Sequence, residues 1–209
     1  MKFSRAGKCW VMFLLVLLLN SLVAEAADFD KVVAFEPIRV SGIEPVGVDT
    51  GKLTPGLSVV YFLKFFERHL DLLPEEGSSR YGSFQGEPIL ELNHQFGKDK
   101  VFDSGSNRGV GMRMSGLLYF KETGVYDFQA LSNDGISMFI ANVLTLNDPE
   151  QHSDRLSNIA HVSVDKSGWY PVMIGYFQRK GTATIKLFWK TPGSSSLVPV
   201  PAEVYAHLP

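Results

Sequence analysis

Residues 111–189 consist of short runs in which apolar and polar positions alternate, and turns that contain glycine separate the runs. A period of two predicts β-strands, because successive side chains of a strand point to opposite faces of a sheet. Many short strands joined by such turns are typical of sandwiches and barrels rather than of α/β enzymes. The pattern therefore predicts an all-β fold, an antiparallel β-sandwich or barrel.

Two of these runs differ in the composition of their faces. Residues 169–177 carry apolar side chains on both faces, which predicts a central strand that is covered on both sides. In residues 182–189 one face is mostly polar and the other is apolar, with Ala183, Ile185, Leu187 and Trp189 facing a core. The short link 178–181 between the two runs contains a glycine, so a β-hairpin is predicted there.

A second hairpin is predicted at residues 121–124, between runs 112–120 and 125–131. Its last residue, Gly124, can supply the positive φ angle that a tight reversal needs. Further upstream, residues 56–62 predict the first strand of the domain.

Residues 62–73 carry apolar side chains at helical spacing and end before Pro74. A short helix is predicted for this segment, and a continuation of the preceding strand is the alternative.

The N-terminal residues 1–26 have the features of a secretory signal peptide that is removed on export. Lys2, Arg5 and Lys8 precede an apolar run at 10–19, and small residues follow at a cleavage site. The apolar run is shorter than the roughly 20 residues that a membrane span needs. We therefore expect an exported protein, periplasmic or extracellular, with no membrane span after the signal is removed.

Removal of the signal also removes Cys9, the only cysteine, so disulfides and cysteine-ligated metals are not expected in the mature chain. The formal net charge of −2 and the absence of a basic run exclude nucleic acid as the expected partner. Residues 27–55 are rich in proline and isolated glycines, which predicts an extended N-terminal arm. The remaining residues, 56–209, suffice for a single β-sandwich domain.

Seven short segments follow one another along the chain: GLSVVYF at 56–62, GLLYF at 116–120, TGVYDF at 123–128, SNDG at 132–135, SGWYP at 167–171, GYF at 175–177 and LFWKTPG at 187–193. Their order resembles a known family, the PA14 domain, over residues 56–209. The resemblance implies a β-sandwich or barrel module of a kind found in bacterial toxins, glycosidases and yeast adhesins. Several members of that family bind carbohydrate, so a glycan or polysaccharide is the implied ligand.

The resemblance also places a ligand site at the turn formed by Asn133, Asp134 and Gly135. In the sugar-binding members the equivalent turn carries two aspartates that bind calcium, and the calcium contacts sugar hydroxyls. Calcium needs six to eight oxygen ligands, and Asn133 contributes a neutral oxygen where those members have a carboxylate. The resemblance thus implies a calcium site at Asn133 and Asp134 with lowered affinity.

The segment after residue 177 contributes further ligands in the adhesins, and here it carries Gln178, Arg179 and Lys180. Two cations at this position disfavour a divalent metal unless they point away. They lead to the hypothesis that the site prefers an acidic or phosphate-bearing glycan. The polar loop 147–154 is a further candidate for the same end of the domain.

Two other interpretations remain open. Ser-Asn-Asp-Gly is an ordinary tight-turn sequence, since Asn and Asp hydrogen-bond their own backbone there. No nucleophile elbow, zinc-binding helix motif or phosphate-binding loop is present, so an enzyme is not expected. The sequence therefore predicts a non-catalytic carbohydrate-binding module, and the alternative is a structural or protein-interaction component of an envelope complex that binds neither sugar nor metal.

Overall fold

The computed structural model describes residues 35–66, 68–75, 78–79 and 82–209. The predicted signal peptide, residues 1–26, and residues 27–34 of the predicted arm lie outside the described residues. The site and both hairpin predictions fall inside them.

Fifteen β-strands account for about half of the described residues. In chain order they are β1 Ile38–Val40, β2 Thr54–Pro55, β3 Ser58–Leu63, β4 Phe84–Gln85, β5 Asn93–Gly97, β6 Val110–Phe120, β7 Gly124–Asn133, β8 Ile136–Ile140, β9 Val143–Asp148, β10 Arg155–Leu156, β11 Ala160–Val164, β12 Gly168–Gln178, β13 Ala183–Lys190, β14 Val198–Pro199 and β15 Tyr205–His207. The helices of the described residues are 3-10 turns, at Thr50–Lys52, Leu70–Leu72 and Ala202–Val204. In this part of the chain, no helix has the length and hydropathy that a membrane crossing requires.

The strands form two sheets. The seven-stranded sheet has the order β1-β11-β7-β13-β14, with β10 added to β7 and β5 added to β13. The eight-stranded sheet has the order β2-β15-β6-β12-β8-β9, with β3 beside β6 and β4 beside β3. Apart from the parallel pair β1–β11, the pairings are antiparallel. The predicted antiparallel all-β fold is confirmed: the strands of the described residues form an open sandwich and do not close into a barrel.

The core lies between the sheets and is built from the inward side chains of their long strands. Phe120 of β6 packs edge-on against Tyr126 of β7, with ring centroids 4.7 Å apart, and against Tyr170 of β12 at 5.1 Å. Such edge-to-face pairs add to the free energy gained by burying the rings. Trp189 of β13, in the same sheet as Tyr126, completes the cluster, with its ring centroid 5.5 Å from that of Tyr126.

The strand β12 is central, as its two apolar faces predict, since it pairs with β6 on one side and with β8 on the other. Its outer face is covered near its end by a small second cluster, in which Phe177 packs against Phe66. The covering segment is the one for which a helix was predicted. It contains one 3-10 turn, Leu70–Leu72, in place of the predicted helix. The alternative prediction, a continuation of the preceding strand, holds for the first two residues because β3 extends to Leu63.

Residues 35–55 run along the edges of the sandwich. The strand β1 pairs with β11 at one end of the seven-stranded sheet, and β2 pairs with β15 at one end of the eight-stranded sheet. Between them Val46 forms a bridge to Trp169. The described part of the arm thus occupies edges of its own domain.

Both predicted hairpins are wrong in their pairing. The segment 121–124 joins β6 of one sheet to β7 of the other, and residues 179–182 likewise join β12 to β13 across the sandwich. A glycine-containing reversal allows either outcome. The strands on each side bury apolar faces against one another, so the chain gains more by crossing the core than by pairing the strands in one sheet.

A hairpin that the sequence pattern did not indicate joins β8 to β9. Its two turn residues, Ala141 and Asn142, have φ angles of 49° and 65°. A two-residue loop with both φ angles positive matches the twist of the flanking strands. The turn was missed because it lacks the glycine that usually adopts this conformation.

Candidate functional site

Two connections between the sheets run side by side at one end of the sandwich. The first, Asp134-Gly135, joins β7 to β8, and the second, residues 179–182, joins β12 to β13. They are neighbours because the strands that they join are paired: Asn133 with Thr184 in one sheet and Ile136 with Tyr176 in the other. The candidate site is built on this double crossing.

Backbone hydrogen bonds hold the first connection against the end of β12. The N–H of Asp134 donates to the carbonyl oxygen of Phe177 at 3.1 Å, and the N–H of Phe177 donates to the carbonyl oxygen of Gly135 at 3.1 Å. The peptide bond between Asn133 and Asp134 is cis. The position of the turn is therefore fixed by the neighbouring strand β12.

The Asn133 side chain is buried and points its amide nitrogen toward oxygen acceptors. Its Nδ2 donates to Asp154 Oδ1 at 2.8 Å and to Thr182 Oγ1 at 3.0 Å. Asp154 Oδ2 also accepts a 3.0 Å hydrogen bond from Thr184 Oγ1. These bonds orient the amide and tie β7 to the second connection.

The Asp134 carboxylate is 2% exposed and is held by backbone donors. The N–H of Arg179 donates to Asp134 Oδ2 at 2.6 Å. Burial raises the pKa of this carboxyl above its ordinary value, and the backbone N–H groups of Arg179 and His152 and the charge of Arg179 offset only part of the rise. Burial is also the main cause that raises the pKa of the neighbouring Tyr176, and the Asp134 charge adds to it.

A pocket of about 770 Å³ opens over the turn, and we call it the polar pocket. Its described lining has no aliphatic side chain and no Phe, Tyr or Trp; it comprises Arg68, His69, Asn133, Asp134, Glu150, Gln151, His152, Ser153, Lys180, Gly181 and Thr182. The lining supplies carboxylates as acceptors, ammonium and guanidinium groups as donors, and amides and hydroxyls as both. These side chains can recognise a ligand by hydrogen bonds and charge.

An ion-pair network supports the wall of the polar pocket formed by residues 150–153. The carboxylate of Asp148 accepts two hydrogen bonds from the guanidinium of Arg155, one of them 2.9 Å from Nε to Oδ2. His152 Nε2 lies 3.1 Å from Asp148 Oδ2. Burial alone would raise the pKa of Asp148, but the hydrogen bonds from Arg155 and His152 outweigh it and hold this pKa below its ordinary value.

The segment between β3 and β4 adjoins this wall and extends it. The N–H of Gln151 donates to the carbonyl oxygen of Arg68 at 2.9 Å, and His69 forms a bridge to Glu150. His69 Nδ1 accepts a hydrogen bond from the N–H of Asp71, so its proton lies on Nε2 when the ring is neutral.

The predicted site residues occupy different places in this arrangement. Asn133, Asp134 and Lys180 line the polar pocket, and Gly135 is buried directly behind the turn. Gln178 is fully buried and does not line the pocket. The side chain of Arg179 lies over the ring of Phe65, 5.8 Å from its centroid, so this residue reaches the site through its backbone N–H.

Sequence reasoning missed four lining residues: Arg68 and His69 from a distant segment, and Gly181 and Thr182 after Lys180. Arg68 and His69 lie in the segment for which a helix was predicted, and no local motif marks them as ligand contacts. Gly181 and Thr182 follow Lys180 in the chain, and this position was the one available signal. Loop 147–154, a candidate from its composition, contributes residues 150–153.

The donors around the turn do not fit a calcium ion well. Among the described residues no group of three or more His, Cys, Asp or Glu side chains is arranged to hold a metal. One oxygen of Asp134 already accepts a backbone N–H, and Arg68 and Lys180 line the same pocket. Calcium prefers several oxygens of high negative charge, which this lining does not bring together.

The comparisons with known proteins agree with this fold. The model of the PA14 domain matches residues 82–201, which is more than half of the chain. The chain belongs to the PA14 domain family. The matched range of the PA14 domain includes both connections of the site and every β-strand from β4 to β14.

Several solved structures share the PA14 fold. An anti-sigma factor domain-containing protein from Clostridium clariflavum has a TM-score of 0.59 and 16% identity, over 73% of this chain and 47% of its own. The A domain of epithelial adhesin 9 from Candida glabrata, solved with Galb1-4GlcNAc, has a TM-score of 0.57 and 14% identity, over 79% and 95%. A PA14 sugar-binding domain from an RTX adhesin has a TM-score of 0.53 and 13% identity, over 73% and 98%.

These identities are low, so the likeness establishes the fold and not the ligand. The chain spans about half the length of the Clostridium clariflavum protein that it matches. No curated protein matches the sequence.

Proposed function

We propose that this protein is a non-catalytic carbohydrate-binding module that holds its glycan in the polar pocket. The observation that carries the proposal is the residue composition of that pocket's lining, in which every residue except Gly181 is polar or charged. A sugar presents many hydroxyls that both donate and accept hydrogen bonds, and this lining provides partners of both kinds. The adhesin domains of the same fold that are solved with a disaccharide or named as sugar-binding support the assignment.

Binding in this proposal is direct. Asn133 and Asp134 are fixed by the double crossing and face the sugar as a rigid floor, while Lys180 and Glu150 reach it from exposed positions at the rim. Rigid polar groups lose little conformational freedom when a ligand binds, which favours recognition by a few hydrogen bonds. Since the donors fit calcium poorly, we propose that the glycan needs no metal.

We further propose that the protein acts outside the cytoplasm, in the periplasm or the extracellular space. The signal-like features of residues 1–26 support this location. The mass of the secreted protein after expression in a secretion-competent host tests it. Cleavage after Ala26 is the expected result, and recovery of the uncleaved chain inside the cell contradicts it.

A glycan array on the purified protein, run once with calcium and once with EDTA, tests the function. We expect the same set of glycans to bind in both buffers. Loss of all binding in EDTA contradicts direct recognition and restores the adhesin-type calcium mechanism at Asn133 and Asp134. Absence of binding in both buffers contradicts the carbohydrate-binding function and favours a structural or protein-interaction role.

Exposed rim residues provide variants that do not disturb the fold. Glu150→Ala and Lys180→Ala should each weaken binding to the glycans found on the array. Lys121→Ala is the matched control, because Lys121 is an exposed lysine at the opposite end of the sandwich, next to the Phe120–Gly168 pair. Equal binding by all three variants contradicts the location of the site.

A further inference from the structure

The ladder between β12 and β6 ends beside the polar pocket. Its last pair is Gln178 with Val110, and the N–H of Gly109 then donates to the carbonyl oxygen of Arg179 at 2.8 Å. Arg108 and Lys180 each lie one residue beyond this hydrogen-bonded pair along the chain. The structure thus brings two cations of distant sequence position to adjacent places at the end of one ladder.

A third cation reaches the same place from the other sheet. The ladder between β13 and β5 ends with Ala183 paired to Gly97, so Lys98 follows immediately at the end of β5. Asn107 Nδ2 donates to the carbonyl oxygen of Lys98 at 3.0 Å, which fastens this residue to the segment that carries Arg108.

A cleft of about 300 Å³ lies between these residues, and we call it the basic cleft. It is lined by Lys98, Asn107, Arg108, Lys180 and Gly181, so three of its five lining residues are cations and none is a carboxylate. All three cations are exposed and form no ion pair among the described residues. Asp99 follows Lys98 in the chain and does not line the cleft.

The basic cleft and the polar pocket are neighbours, since Lys180 and Gly181 line both. Like charges side by side repel one another, and an anion between them relieves that repulsion. The grouping of three cationic side chains in one cleft stands out because the whole chain has a formal net charge of −2.

We propose that the basic cleft is a second subsite for the same glycan and takes an acidic sugar residue, so that the ligand is a polyanionic polysaccharide such as a polyuronate. The inference rests on the proposed function, since one sugar of the polysaccharide occupies the polar pocket. A neighbouring acidic sugar then lies between Lys98, Arg108 and Lys180. A single-stranded nucleic acid also carries repeated negative charge, but its binding sites usually supply aromatic side chains on which bases stack. Neither the polar pocket nor the basic cleft has a Phe, Tyr or Trp in its described lining.

Titration calorimetry of the purified protein tests the proposal with four probes. They are galacturonate, tetragalacturonate, the carboxyl-reduced neutral analogue of the tetramer, and an oligothymidylate of similar total charge. We expect the tetragalacturonate to bind more tightly than the monomer and than the neutral analogue. Its affinity should fall as ionic strength rises from about 0.01 M to about 0.15 M, because the Debye length shortens from roughly 30 Å to about 8 Å.

The double variant Lys98→Ala, Arg108→Ala removes two cations of the basic cleft and leaves the polar pocket intact. It should weaken tetragalacturonate binding roughly tenfold, since two exposed charge pairs together account for about that factor. Binding of the monomer should not change. The matched control is Lys121→Ala, Lys166→Ala, which changes the net charge equally at the far end of β12, about 35 Å away; it should bind as the parent does.

Three results overturn the inference: equal affinity for tetragalacturonate and its neutral analogue, an equal loss in the control variant, or oligothymidylate binding as tight as tetragalacturonate. The inference and the proposed function fail separately. If neutral glycans bind and only Glu150→Ala or Lys180→Ala weakens them, the binding function stands and the acidic subsite is wrong. If no carbohydrate binds at all, both are wrong.

Discussion

The buried hydroxyl of Tyr176 donates a 2.6 Å hydrogen bond to the backbone carbonyl oxygen of Asn133. This bond joins β12 of the eight-stranded sheet to the last residue of β7 in the seven-stranded sheet. It crosses the sandwich directly beneath the turn that forms the floor of the polar pocket. The geometry of the site therefore depends on the packing of the core.

Tyr176→Phe should lower both stability and glycan affinity. The change leaves the carbonyl oxygen of Asn133 buried without this donor, which costs about 1–3 kcal/mol of the free energy of unfolding. Urea unfolding measures the stability, and titration with a glycan found on the array measures the affinity.

Tyr170→Phe is the matched control for that experiment. Tyr170 lies on the same strand and is also fully buried, and its hydroxyl donates to the carbonyl oxygen of Lys166 at 2.7 Å at the opposite end of β12. The control should lose stability but keep the parent's glycan affinity. Equal loss of affinity in both variants contradicts a specific role for the Tyr176 bond.

Gly135→Ala should disrupt the turn from behind. A Cβ atom at this position would lie 2.6 Å from Phe177 Cε1 and 2.6 Å from the carbonyl oxygen of Pro149, closer than van der Waals contact allows. The backbone of one connection has to move, so we expect a loss of about 1–3 kcal/mol and weaker glycan binding. Gly47→Ala is the control, because its Cβ would meet no atom within 4 Å. A Gly135→Ala protein with the parent's urea midpoint contradicts the expected clash.

The fold class was predictable because alternation is a local signal. The runs that became β7, β12 and β13 each show which face is buried, and two apolar faces identified β12 as central. The pairing of these strands was not predictable, since the same short glycine-containing links serve a hairpin or a crossing. That choice depends on contacts such as the one between Phe120 and Tyr126, which come from opposite sheets and carry no signature in the sequence.

The candidate site was predictable only in part, for the same reason. Asn133 and Asp134 lie in the turn that resembles the ligand site of the family, although Asn133 departs from its pair of aspartates, and Lys180 follows a predicted strand. Arg68 reaches the polar pocket through a backbone hydrogen bond to Gln151 from a distant segment. The charge of Arg108 joins that of Lys180 only because two strands end together, so a search for basic runs along the chain did not find the basic cleft.

Asp134→Asn should change how stability depends on pH. The folded protein raises the pKa of Asp134 above its unfolded value, so the folded state binds this proton more tightly than the unfolded state does. The contribution of Asp134 to stability is therefore greatest at low pH and falls as the pH rises from about 4 through the folded pKa. Asparagine keeps an oxygen that can accept the N–H of Arg179, but it does not titrate.

The free energy of unfolding of parent and variant, measured from about pH 4 to about pH 7, tests this sign. Other titrating groups are common to both proteins and cancel in the difference. We expect the parent to lose stability relative to Asp134→Asn as the pH rises. A difference that is constant across the range, or that grows in favour of the parent, contradicts the raised pKa.

Arg155→Met should destabilise the protein more at neutral pH than in acid. The Asp148 side chain is 1% exposed, and removing its guanidinium partner leaves a buried carboxylate without its main counter-charge, at a cost of about 3 kcal/mol. In the parent the pKa of Asp148 is lower in the folded state than in the unfolded state, so this group stabilises the fold at a pH above its unfolded pKa. The contribution disappears as the pH falls through the folded pKa. The difference between parent and variant should therefore shrink on acidification.

Lys166→Met, which removes the partner of Glu44 in an exposed ion pair, is the control and should show no such pH-dependent loss. A variant whose deficit is the same at both ends of the pH range would show that Arg155 acts by packing and not by compensating the charge of Asp148.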